Sequence, residues 1–130
     1  MNSTQLTDLQ LAVVRALWER GECTVLDVQE ALLPDRPLAQ TTVATLLSRL
    51  ERRGVVTHRV AGRQFIYRAL VSEPQVQSSM VEQITEMLFE GSPTALISHL
   101  LATSDVGNGD LSEVKRLIAE AEARHGSGVR

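Results

Sequence analysis

Apolar positions along the chain follow two different periods, and the change between them divides it into elements. Leu6, Leu9, Val13, Ala16 and Leu17 recur at helical spacing, and Thr7 followed three residues later by Gln10 forms a capping box. This predicts a first helix that Gly21 ends. Thr24 with Asp27 opens a second, shorter helix whose Val25, Val28 and Leu32 form one stripe, and Pro34 stops it. Asp35 to Leu38, with Pro37, reads as a turn. A third helix is expected from about Gln40 to Arg53, closed by Gly54 in a left-handed conformation.

From Val55 the period falls to two. Val56, His58 and Val60 alternate with Thr57 and Arg59, while Phe65 and Tyr67 alternate with Gln64, Ile66 and Arg68, which predicts a hairpin with its tip at Ala61–Arg63. After Ala69 helical spacing returns. Ser72 and Pro74 open a fourth helix to about Phe89, and Gly91 breaks it. Ser92-Pro93 starts a fifth, Ser104–Gly109 reads as a loop, and Asp110 with Glu113 caps a sixth whose tail is expected to fray from Gly126. Three helices followed by a hairpin is the winged-helix order. The expected fold class is therefore mostly α (α+β): a winged helix-turn-helix head with a two-stranded wing over residues 1–71, followed by a helical dimerisation segment over 72–130.

Charge sharpens this division. The 130 residues carry a net charge of −3, but residues 1–71 hold nine Arg against seven acids, and residues 72–130 hold four basic residues against nine acids. Between positions 49 and 68 stand Arg49, Arg52, Arg53, Arg59, Arg63 and Arg68 against the single acid Glu51. That is a local footprint for phosphate within an acidic chain.

The third helix carries two faces. Val43, Leu46, Leu47 and Leu50 lie on one side, Thr42, Thr45, Arg49 and Arg52 on another, their centres about 130° apart at helical periodicity. Threonine methyls and hydroxyls approach base edges without crowding, and arginine reaches guanine or phosphate, so this face suits a major groove. Arg63, beside Gly62 at the wing tip, is placed for the adjacent phosphates or minor groove, whereas Arg59 and Arg68 can equally be structural. Trp18 and Tyr67 fall at core-periodic positions.

Other classes fare worse. There is no paired nucleophile and base, no glycine-rich phosphate loop and no metal set, so an enzyme is not expected. His58, His99 and His125 lack ligand spacing, and the lone Cys23 reads as a small buried hydrophobe; no cofactor is expected. The apolar runs are far shorter than the roughly 18 residues of a membrane span, and the N-terminal stretch has no signal-peptide pattern, so a cytoplasmic protein is expected. A generic ligand-sensing winged-helix regulator and a winged-helix protein-interaction module without DNA binding remain as alternatives. Three short helices cannot bury their stripes alone. Met80, Ile84, Leu88, Leu96, Leu100, Leu117 and Ile118 are therefore expected to pack against a second copy, which would set two DNA-reading helices on a palindrome.

The run TTVATLLSRLERRGVVTHRVAGRQFIYRAL, preceded by LTDLQLAVVRALWERGECTVLDVQEAL, resembles the DNA-reading helix, wing and first two helices of the penicillinase-repressor family. The resemblance covers residues 6–102 and, by pattern, the last helix. It implies a homodimeric repressor of resistance or stress genes on a palindromic double-stranded DNA operator. It places Thr42, Thr45 and Arg49 at DNA-facing positions and puts Thr41 and Ala44 where the family often has basic residues. The family's antibiotic-responsive members are induced by proteolysis in the C-terminal helices, between Asn and Phe, through a membrane sensor-protease pathway. Here the matching stretch reads LISHLLA, so the nearest equivalent cut site is His99-Leu100; the copper-responsive branch's C-terminal CxC motif is absent.

Overall fold

The computed structural model describes residues 5–103 and 107–128. Its elements run α1 (Asp8–Arg20), α2 (Val25–Leu32), α3 (Gln40–Arg52), β1 (Val56–Ala61), β2 (Gln64–Ala69), α4 (Glu73–Phe89), α5 (Pro93–Thr103) and α6 (Asn108–Gly128). Helix starts are set by side chains that satisfy the first free amides. Complete capping boxes form at Thr7 with Gln10 and at Thr24 with Asp27, as expected, and a third at Ser72 with Gln75. Gly54 follows α3 at φ 80°, the left-handed geometry that lets the chain turn into the wing.

One core holds the head together. Val13, Val14 and Leu17 of α1, Val28 of α2 and Val43, Leu47 and Leu50 of α3 close on Val55, Val56 and Tyr67 at the base of the wing. Trp18 packs on this cluster and its indole N–H donates to the Val71 carbonyl at 2.9 Å. The core also reaches past the end of the wing: Val76 of α4 is buried in it and Met80 packs against it. The first two turns of α4 thus share the head's apolar interior.

The hairpin pairs antiparallel from Val56 opposite Ala69 to Ala61 opposite Gln64, leaving Gly62 and Arg63 as the tip. A third backbone segment joins it. Cys23 exchanges both backbone hydrogen bonds with Tyr67, at 3.0 and 2.7 Å, so the α1–α2 turn covers the outer edge of β2. Burial pushes the Cys23 thiol above its ordinary value, with the Asp27 charge adding to it, which keeps the sulfur a protonated packing group at neutral pH.

Two expectations for the last helix are corrected. It begins at Asn108, so Asp110 sits inside its first turn, where a carboxylate complements the free amides, instead of capping it. It also continues through Gly126, where fraying was expected, to Gly128. Residues 104–106 of the anticipated connection lie outside the described residues.

Leu47 is wholly buried at the centre of the head. Leu47→Ala should lower unfolding stability by about 2–5 kcal/mol, read as a shift of the urea midpoint at unchanged m-value.

Candidate nucleic-acid interface

The burial of α3 along one side decides what the other side offers. With Val43, Leu47 and Leu50 enclosed, Thr41, Thr42, Thr45, Ser48, Arg49 and Arg52 are left exposed. The Thr45 hydroxyl donates to the Thr41 carbonyl at 3.0 Å. Its hydrogen is thereby committed to the helix, so what this exposed side chain still offers a ligand is a methyl and an acceptor oxygen. Ala39 precedes α3 without a side-chain cap, so the first amides of this helix keep open donors.

The six clustered arginines differ in what holds them: two are bonded to the head, three are unpaired, and Arg68, exposed and without a hydrogen bond or ion pair among the described residues, has its charge directed at Glu22. Arg59 makes a two-pronged contact with Glu22, at 2.9 and 3.1 Å, which anchors β1 to the α1–α2 turn. This hydrogen bond holds the Glu22 carboxyl below the usual glutamate value, with the Arg68 charge contributing. Arg53 donates to the Gln10 side chain at 3.1 Å and to the Gln5 carbonyl. Both are structural. Among the described residues, Arg49, Arg52 and Arg63 have no hydrogen bond or ion pair, so their charges stay available to a ligand.

The one acid in that run is bonded to the wing. Both Glu51 oxygens lie 2.8 Å from His58 Nδ1 on β1, and the His58 ring stacks on Phe65 at 4.0 Å and 14°. This contact ties the end of α3 to the wing. Between the two elements runs a cleft of about 370 Å³, floored by Ala44 and Ser48 and flanked by Gln40, Leu26, Phe65 and Arg63. Arg63 therefore shares a groove with the N-terminal half of α3. Arg63 is legible at the wing tip, but the cleft is not, because it forms only where the start of α2 meets α3 and the wing.

The expected dimerisation residues divide as well. Ile84, Leu88, Leu100, Leu117 and Ile118 are exposed, as are Val81, Met87, Ile97 and Leu101. Leu96 is half-buried in the groove between α4 and α5, and Met80 packs on the head core. Neither α5 nor α6 has a buried residue among those described. The His99-Leu100 peptide lies within helical α5, with the His99 ring 5.5 Å from Phe89. Among the described residues no cluster of His, Cys, Asp or Glu could hold a metal, and no helix is long and apolar enough to cross a membrane.

A head of three helices and a wing, with a hydroxyl- and guanidinium-bearing α3, defines a winged-helix DNA-binding protein. The penicillinase-repressor family model matches residues 6–120, and the chain belongs to that family of transcriptional repressors. It is 36% identical to the transcriptional regulator BlaI of Mycobacterium tuberculosis over 95% of this chain and 90% of the relative. It is 20% identical to the penicillinase repressor of Bacillus licheniformis over 92% of this chain and 94% of that one. The solved DNA-binding domain of the repressor BlaI is 26% identical, with a TM-score of 0.50 over 55% of this chain and 88% of its own.

Because Glu22 is held low, the stability it contributes is present above the ordinary carboxylate value and is lost as pH falls through its lowered value. A carboxyl-carbon NMR titration should place the Glu22 midpoint below that of a free glutamate. In Arg59→Ala it should move up; an unmoved midpoint would show that Arg59 is not the cause.

Proposed function

We propose that the repressor acts as a homodimer on a palindromic operator, with α3 in the major groove and the wing over the adjacent backbone. The observation that carries this is the sorting of charge. Arg49, Arg52 and Arg63 are left without partners while Glu51 is bound to the wing. In this reading Thr42, Thr45 and Arg49 read base edges, the methyl of Thr45 suiting a thymine methyl, and Thr41, Arg52 and Arg63 contact the backbone. The genes controlled are of the resistance or stress class; relatives include the methicillin resistance regulatory protein of Staphylococcus aureus.

The second copy is supported by the exposed apolar side chains of α4, α5 and α6, which a lone chain leaves in water. The protein is read as cytoplasmic, where its operator is. Release through a membrane sensor-protease would act at His99-Leu100, and it requires local unwinding of α5 first, since that peptide is helical.

Binding to DNA fragments selected from the source genome, followed by fluorescence anisotropy, tests the operator reading. Arg49→Ala should cost about 1–3 kcal/mol and relax sequence preference, whereas Arg63→Ala should weaken all sequences alike and reduce the salt slope by about one. Equal affinity of the unmodified protein for selected and random DNA would refute it. For the assembly, Leu88→Asp or Leu117→Asp should give monomers by light scattering. An unchanged dimer mass would remove these faces from the interface.

A further inference from the structure

Residues 5–10 connect two elements that have different tasks. The Gln5 amide N–H₂ donates to the Ser79 carbonyl at 3.1 Å and to the Ser79 hydroxyl oxygen at 2.7 Å, reaching across 74 residues to α4. The Gln5 carbonyl accepts from the Arg53 guanidinium at the end of α3, and the same guanidinium donates to the Gln10 side chain at 3.1 Å. Gln10 is itself fixed, since its side-chain oxygen accepts from the Thr7 amide in the α1 capping box. Leu6, between the two polar contacts, is buried in the core. Nothing in this segment is loose: one short stretch is bonded at once to the end of the DNA-reading helix and to α4.

The place of contact on α4 matters. Ser79 lies beside Val76 and Met80, the two α4 residues that pack into or against the head core. From α4 only Val76, buried, and Met80, half-buried, reach the head core, so this apolar contact resists separation from the head but, unlike the fully enclosed side of α3, fixes the helix angle weakly. Hydrogen bonds from a fixed amide to both the carbonyl and the hydroxyl of Ser79 supply the missing direction. The angle between α3 and α4 is thereby set by the apolar contact and the polar strap together.

In a dimer built through the C-terminal helices, that angle in each copy fixes how far apart, and at what relative rotation, the two α3 helices stand. We propose that Gln5, with Ser79 and Arg53, is a positioning strap that sets the half-site spacing this repressor accepts. The proposal rests on the dimeric operator reading above. Gln5 touches no DNA in it and acts through the orientation of α3. Moving one half-site by a base pair shifts it along the axis and rotates it by about a tenth of a turn, so a rigid strap penalises the change and a slack one tolerates it.

The test uses full-length protein and duplexes made from the selected half-site: one half-site alone, the palindrome at its selected spacing, and palindromes with one base pair added or removed. The unmodified protein should prefer the selected spacing by at least about fivefold. Gln5→Ala should bring the three palindromes to within about twofold of one another, with affinity for the lone half-site changed by less than about twofold. Ser79→Thr, which retains the hydroxyl, should keep the preference. Spacing discrimination that survives in Gln5→Ala overturns the strap. So does an equal loss on the lone half-site and the palindrome, which would make Gln5 a stabiliser of the head and nothing more. If the unmodified protein binds no palindrome better than the lone half-site, the dimeric operator reading fails, and the strap fails with it.

Discussion

The complete burial of one side of α3 is the constraint on which the rest of the molecule depends. Val43, Leu47 and Leu50 have no contact with water, so α3 cannot roll about its axis without exposing them. Each such side chain is worth roughly 1.5–3 kcal/mol of burial, enough to hold the rotation of the helix against thermal motion. The threonines and arginines on the remaining side are therefore presented at a fixed angle. The core thus determines which side chains of α3 a partner can reach.

Around that helix, polar contacts allocate charge. Glu22 takes Arg59, Glu51 takes His58, and Gln5 and Gln10 take Arg53, each linking α3 or the wing to an earlier or later element. The exposed side of α3 and the wing tip thus carry Arg49, Arg52 and Arg63 without a bonded carboxylate among the described residues. The one exposed ion pair among these contacts, Glu22 with Arg59, contributes little to stability. The effect of the contacts lies in deciding which cations remain for a partner.

Much of this was legible in the chain. The capping pairs Thr7–Gln10 and Thr24–Asp27, the left-handed Gly54 and the change of period at Val55 are local signals, and all appear where expected. The two faces of α3 were readable for the same reason, as was the core placement of Trp18 and Tyr67. What escaped depends on contacts between distant segments. A single-residue bridge such as Cys23 with Tyr67 has no periodicity to announce it. The arginine cluster could be counted but not sorted, because the partners of Arg53 and Arg59 lie 43 and 37 residues away. Met80 has the spacing of an outward stripe and turns instead to the head, since the core extends beyond the wing into α4. Helix ends set by weak signals, at Asn108 and beyond Gly126, were also out of reach.

The fastening of the wing has a mechanical consequence. Its edge strand β1 is held to the Glu22–Cys23 turn by the Arg59 ion pair, and β2, between β1 and that turn, by the two backbone bonds between Cys23 and Tyr67. Both strands are thus pinned to one short turn. A force applied at Arg63 cannot bend the hairpin at its root without breaking those bonds or carrying the turn along, and with it the start of α2. The wing is therefore no free flap: its root is an extension of the α1–α2 turn, and so of the packed head.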